Sequence, residues 1–231
     1  MNKKIVLYSE PMYIFAMALM AFAVATVASA GFGVSMIVAP AYILSLRIDF
    51  LSFGQCEYIL QGFLFLVFCL IMRKIKIWYL DAFLTCLIYG CFLDFFRKVI
   101  PVFNPEITNP ESLSLAFRIF LFSGGMILTA FALAVFFRVY FCPQVYDFFV
   151  RELTKKFNVS KIKFKTIFDM SFLLTAVILS LVFFHKFNGI GLGTVVMTLV
   201  NGTIIGLACK IVDSLFEFKA IFPKLEKVFT E

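Results

Sequence analysis

The sequence predicts an all-α, polytopic integral membrane protein with about six transmembrane helices, arranged as two inverted three-helix repeats with short broken or re-entrant segments. Three observations predict it. Apolar residues make up 62% of the 231-residue chain and charged residues 15%, with a mean hydropathy of +1.00, where a soluble domain has roughly 45–50% and about 25%. No charge occurs between Glu10 and Arg47, and further long uncharged runs follow. The second half of the chain then repeats the first half's order of span, break, span, span. A chain this short cannot hide its apolar excess in a larger core, so lipid must be the solvent for much of its surface.

The first helix is expected over 11–30. Lys3, Lys4, the apolar run and Ala28-Ser29-Ala30 imitate a signal peptide, but the run is too long for the usual apolar region of one. It reads as a retained span. Gly31-Phe32-Gly33-Val34-Ser35 then interrupts the run, and Pro40 follows. Closely spaced glycines let the backbone leave helical geometry, and proline removes a donor. The remaining stretch, 34–46, is shorter than the roughly 20 residues a span needs, so it should re-enter or lie at the interface. The second helix is expected over 54–72. The third is expected over 77–97, with Trp78 and Tyr79 as interface anchors. A polar loop carries Pro101, Pro105 and Pro110. The fourth helix is expected over 114–137. A second break, at Cys142-Pro143-Gln144 within 139–150, precedes the fifth helix at 164–184 and the sixth at 189–211. The whole is one membrane domain, 1–231, with repeat units 11–100 and 114–215.

The repeat is visible in residues. Ser52-Phe53-Gly54-Gln55 and Ser160-Lys161-Ile162-Lys163 open matching helices at an offset of 108, which pairs Gln61 with Asp169. Leu87-Ile88-Tyr89-Gly90 falls on Leu199-Val200-Asn201-Gly202 at an offset of 112. Three spans per unit is odd, so the second unit must start from the opposite face. Inverted repeats with matching breaks are common in secondary transporters, although duplication is also a cheap route to a large membrane protein.

Orientation follows the Lys and Arg count. With six spans, the side bearing both termini holds 16 of these residues and the other side 5, which places N- and C-termini in the cytoplasm. The same asymmetry accounts for the net charge of +7 without nucleic acid. The basic run Lys155–Lys165 reads either as this topology signal or as a site for anionic lipid.

Non-helical backbone at membrane depth must line protein or a water cavity, so Gly31, Gly33 and Ser35 at the first break and Gln144 at the second are candidate binding residues. Asp169, inside an apolar run, either pairs with Lys165 one turn away or faces the interior to bind a proton, cation or amine. Glu57 and Gln61, one turn apart, are expected to face it across the pseudo-symmetry axis. Asn201, beside Gly202 and Gly206, fits close helix packing with an interhelical hydrogen bond. Asp81 and Asp94 read as interface anchors, near Lys76 and Arg97. Gly189, Gly191 and Gly193 fit close packing or an unwound helix start. The 33 phenylalanines read as lipid-facing surface interchangeable with Leu and Ile, or as an aromatic wall. Six scattered cysteines and one histidine, His185, offer no zinc site. No catalytic constellation, metal site or cofactor motif is present, and the chain is not expected to be an enzyme.

Ala30-Gly31-Phe32-Gly33-Val34-Ser35, Leu51-Ser52-Phe53-Gly54, Tyr89-Gly90 with Leu93-Asp94, Cys142-Pro143-Gln144-Val145-Tyr146-Asp147, Phe168-Asp169, and Gly191-Leu192-Gly193-Thr194 with Asn201-Gly202 together resemble the YczE/YitT-like group of bacterial integral membrane proteins. The likeness covers nearly the whole chain. It implies a bacterial plasma-membrane protein of about six helices and carries over no catalytic or binding residue. The commoner pattern has a Pro and an Asp soon after Gly-x-Gly-Val-Ser, where this chain has Met36-Ile37-Val38-Ala39-Pro40. Asp147 supplies an acidic position in the second half and joins the candidates. The expected function is a permease or secondary transporter of a small solute. The alternative is a non-transporting accessory protein that acts through a membrane partner, for which the repeat interface should be dry and well packed and one helix face should expose a patch of small residues.

Overall fold

The computed structural model describes residues 4–73 and 79–230. Six of its helices are long and apolar enough to cross a membrane: α1 (Ser9–Ser29), α3 (Phe53–Met72), α4 (Tyr79–Val99), α5 (Leu115–Phe136), α7 (Lys161–Phe184) and α8 (Leu192–Leu215). Each break is followed by a shorter helix, α2 (Ala39–Arg47) and α6 (Val145–Phe157). A final α9 (Pro223–Thr230) ends the description. The protein is thus an all-α, multi-pass membrane protein, with both halves running long, short, long, long. Boundaries differ from the sequence reading by a few residues, and the second short helix begins and ends later than 139–150. Lys74, Lys76 and Trp78 lie outside the described residues.

Local chemistry explains the boundaries. Ser52 and Gln55 form a reciprocal capping box at the start of α3, with Ser52 Oγ accepting from Gln55 N at 3.1 Å and Gln55 Oε1 from Ser52 N at 2.9 Å. Ser114 Oγ caps α5 by accepting from Phe117 N. Arg73, Asn158 and His185 close α3, α6 and α7 in the left-handed region, the usual helix stop.

The halves meet along α1 and α5, which pack side by side. Alanines along α1 are fully buried, and a Cβ at Gly125 of α5 would lie 3.0 Å from the Ala23 carbonyl oxygen. Lipid supplies no hydrophobic drive between spans, so close backbone approach through small residues carries such contacts. Around this pair the packing is crossed: α4 lies on α1 and α8 on α5, while α2 touches α3 and α7, and α6 touches α7 and α3. One relation is unequal. The α3–α4 hairpin packs tightly, whereas α7 and α8 barely approach one another.

A second core surrounds α6. Phe68 stacks edge-on to Phe148 at 4.8 Å and to Tyr79 at 5.0 Å, and Phe149 stacks on Phe168 at 5.3 Å. Many phenylalanines therefore build the interior as well as the lipid face, as edge and offset geometries favour. Two short strands, absent from the sequence reading, join the chain ends. β1 (Ile5–Tyr8) and β2 (Phe216–Lys219) pair in parallel, Ile5 opposite Phe216 through Tyr8 opposite Lys219. The Glu10 carboxylate beside them accepts hydrogen bonds from Ile221 N, Phe222 N and Tyr140 OH. Both termini therefore share one end of the bundle, as an even number of spans requires.

Candidate functional site

Each break is stabilised by groups from the other half. At the first, Arg118 of α5 donates from Nε to the Ala30 carbonyl at 2.8 Å and from Nη2 to Gly31 at 3.1 Å, with its guanidinium over the Phe32 ring. These carbonyls follow the end of α1, where orphan acceptors and the negative pole of the helix attract a cation. Gly193 N donates to Phe32 O at 2.9 Å, and Thr194 Oγ1 donates to Val34 O at 2.8 Å. Gly33 has a φ of +95°, and a Cβ there would lie 2.5 Å from Thr194 Oγ1 and 2.6 Å from Gly191 N. The first break is therefore sealed backbone-to-backbone against the α7–α8 turn.

At the second break, Asp81 Oδ2 accepts from Cys142 N at 2.9 Å, Thr85 Oγ1 donates to Cys142 O at 3.2 Å, and Gln61 Oε1 accepts from Val145 N at 3.2 Å. Burial pushes the Cys142 thiol up to about 11, despite the nearby Arg151. Asp81, whose expected partner Lys76 lies outside the described residues, thus bonds across the bundle from the first turn of α4. Its carboxylate satisfies irregular backbone that lipid could not. Asp94 does not pair with Arg97. It accepts from Ser52 Oγ and from Gly54 N at 2.8 Å, at the start of α3.

Between the breaks lies a cavity of about 390 Å³. Ser35 to Val38 reach it from the first break, and Gln144, Tyr146 and Asp147 from the second. Tyr89 of α4, Lys165 and Asp169 of α7, and Asn201 and Gly202 of α8 complete its polar side; Met20, Val24 and Met197 line its apolar side. Tyr89 and Asn201 stand near the middle of their helices. Lys165 Nζ hydrogen-bonds Asp147 Oδ1 at 3.2 Å and lies 3.2 Å from Asp169 Oδ1. That second oxygen is buried with Lys165 as its neighbouring donor, an ion pair one helical turn apart. Gln144 Nε2 and Asn201 Oδ1 are buried and unbonded. Each such orphan costs about 1–3 kcal/mol, and both residues line the cavity.

The cavity lies between two larger recesses. One of about 610 Å³, lined by Pro143 and Arg151, shares Phe137, Asp147 and Lys165 with it. The other, of about 570 Å³ at the opposite end, is lined by Gly31, Gly33, Arg97 and Lys186. The Gly33–Thr194 seal separates that recess from Ser35, and the Asp147–Lys165 pair with Phe137 separates the first.

Of the expected site residues, Ser35, Gln144, Asp147, Asp169 and Asn201 come together. Gly31 and Gly33 do not line the cavity and instead form its seal. Glu57 and Gln61 do not face Asp169. Both are fully buried behind Tyr146, where Glu57 Oε2 accepts from Tyr146 OH at 3.2 Å and Gln61 Nε2 at 3.1 Å, leaving Oε1 unbonded. The packing read at Asn201 is absent among the described residues, because a Cβ at Gly202 or Gly206 would meet nothing of them within 4 Å. The packing read at Gly191 and Gly193 is present, both close against Phe32. Lys165 belongs to the cavity and not to a surface basic patch, whereas Lys155, Lys156, Lys161 and Lys163 are exposed. Lys165, Tyr146 and Tyr89 were missed as lining residues. A spacing of four from Asp169 was the one signal for Lys165. Groups of metal-binding side chains do not occur among the described residues.

A model of a family of unknown function, DUF6198, matches residues 7–210, and the chain belongs to that family. This agrees with the expected kind of family, one without an assigned function; the narrower YczE/YitT likeness rests on the motifs alone. No curated protein and no solved structure matches the chain.

Proposed function

We propose that this member of the DUF6198 family is a permease for a small solute, built from two inverted repeats whose broken segments enclose the binding site. The observation that carries the reading is the cavity of about 390 Å³, reached by both breaks and lined by the polar residues Gln144, Asp147, Lys165, Asp169 and Asn201. A binding site at the midplane, between repeats and beside interrupted helices, is where transporters place it. The volume suits a small solute. The recesses at either end supply approaches. The crossed packing of α2 and α6 on each other's halves supports the repeat, and the excess of Lys and Arg on the terminal side supports cytoplasmic termini in a bacterial plasma membrane. The packed α1–α5 seam and the open positions at Gly202 and Gly206 favour the alternative, an accessory protein acting through a membrane partner, whereas the polar-lined cavity beside them favours the permease.

Substituted-cysteine labelling tests this without knowing the solute. Ser35→Cys and Asn201→Cys, in a background lacking the native cysteines, should react with a small membrane-impermeant thiol reagent. The reaction should occur from the terminal side in inside-out vesicles and, more slowly, from the opposite side in right-side-out ones. Protection of both positions from both faces, in folded protein, refutes a transport pathway through this cavity.

A further inference from the structure

Resting on the permease reading for its place in the protein, we propose that the cavity's ligand is a small organic ammonium ion, docked by its N–H groups on Asp169 and Asn201 with its carbon skeleton against Met20, Val24 and Met197. Two carboxylates, Asp147 and Asp169, share one ammonium group, Lys165. With all three ionised, the cluster holds one more carboxylate than ammonium, with Lys161 and Arg151 at the adjoining recess, and a cation bound on the Asp169 side balances it. The unbonded atoms point the same way. Asn201 Oδ1 is a buried acceptor without a donor, Asp169 Oδ1 has only Lys165, at 3.2 Å, and an ammonium group brings up to three donors. A proton on Asp169 would meet the charge but leave the Asn201 oxygen unpartnered. An anionic solute would add to the excess. Gln144 Nε2 is a donor without an acceptor, which accommodates a second, oxygen-bearing group on the ligand.

The same geometry links binding to access. Lys165 lies 3.2 Å from both Asp147 Oδ1 and Asp169 Oδ1, and Asp147, Lys165 and Phe137 line both the cavity and the recess beside it. A ligand cation that takes over Asp169 leaves Lys165 to Asp147, so the partition toward that recess keeps its ion pair while the ligand is held.

Calorimetry on purified, detergent-solubilised protein with three isosteric probes tests the proposal: n-butylammonium, butyrate and butan-1-ol. Saturable binding of n-butylammonium alone is expected. Asp169→Asn should weaken it at least about tenfold, the worth of one hydrogen bond to a charged group. Asn201→Leu, a neutral replacement of similar size, should weaken it several-fold and serves where Asp169→Asn fails to fold. Butyrate binding in preference, no binding of any probe by folded protein, or n-butylammonium binding unaffected by both substitutions overturns the proposal. Uptake of labelled n-butylammonium into proteoliposomes separates the two readings. Binding without uptake refutes the permease and keeps the cation site, whereas uptake of butyrate alone keeps the permease and refutes the cation site.

Discussion

Replacing Gly33 by alanine tests the seal on which the separation of cavity from far recess depends. Gly33 adopts a φ of +95°, and a Cβ would fall 2.5 Å from Thr194 Oγ1, 2.6 Å from Gly191 N and 3.2 Å from Ile190 C. A non-glycine residue held in such a region costs about 1–3 kcal/mol. Relief of the contact must push Thr194 off Val34 O, a bond of 2.8 Å worth about 0.5–1.5 kcal/mol, and must move backbone at Gly191 as well. Together these give a loss of about 3 kcal/mol. Gly124→Ala is the control, since a Cβ there meets nothing within 4 Å and alanine gains about 0.5–1 kcal/mol over glycine inside a helix. Reversible unfolding in mixed micelles reads both. Gly33→Ala should unfold at clearly lower denaturant than wild type, and Gly124→Ala at equal or higher. Ser35→Cys labelling from the far end should rise in the Gly33→Ala background. Equal midpoints for the two glycine variants would refute the argument that the first break is locked against the α7–α8 turn.

Arg118→Leu should cost about 2–3 kcal/mol in the same unfolding assay, because it strips donors from the Ala30 and Gly31 carbonyls. Arg118→Lys should fall between, since it keeps the charge without the fork; a lysine variant no better than leucine refutes the capping role. Cys142, with its thiol pushed up to about 11, should hold only about a thousandth of its population as thiolate at pH 8. Alkylation should therefore stay slow until the pH nears 11 or the protein is unfolded. Modification at pH 8 at the rate of an exposed thiol contradicts the burial. Reporter fusions should place both termini in the cytoplasm, as 16 against 5 basic residues on the two sides require, and a periplasmic signal at either end overturns that orientation.

The architecture was legible because its determinants are local. An uncharged run, two glycines and Pro40 end one helix and start another wherever they occur, and the Ser52–Gln55 box needs only four consecutive residues. Asp169 and Asn201 stood out for the same reason, as polar side chains inside apolar helices. Partner choice was not legible. Asp94 lies three residues from Arg97, yet its bonds go to Ser52 and Gly54, about forty residues earlier. Asp81 serves the backbone of Cys142, 61 residues away. A carboxylate near a helix end looks the same in sequence whether it meets water, a cation or an irregular backbone. β1 and β2 are four residues each, too short for an alternating pattern, and their pairing joins opposite ends of the chain. Gly202 and Gly206 have the spacing of a packing face, but α8 shows nothing of the described residues within 4 Å of either position.

The reciprocal bracing of the breaks explains why irregular backbone persists inside an apolar bundle. Arg118, Gly193 and Thr194 satisfy the first break; Gln61, Asp81 and Thr85 satisfy the second. Each half supplies what the other lacks, so neither break's backbone is left bare in lipid, where every unsatisfied group costs several kcal/mol. Against this balance, the positions where matching residues behave differently gain weight. Gln61 bonds the Val145 amide across the bundle, whereas Asp169, at an offset of 108, meets Lys165 of its own helix. Gly90 packs against Gly54, with a Cβ contact of 2.8 Å to the Gly54 carbonyl, whereas Gly202, its match at an offset of 112, faces open space. Tyr89 and its match Asn201 both line the cavity, but the Asn201 oxygen has no partner. Duplication used only to enlarge a protein would favour closing both helix pairs alike, since each closed pair gains packing and loses orphans. The second pair stays apart where α7 and α8 present Asp169 and Asn201, and that unequal closure leaves room for a third body to supply the missing bonds.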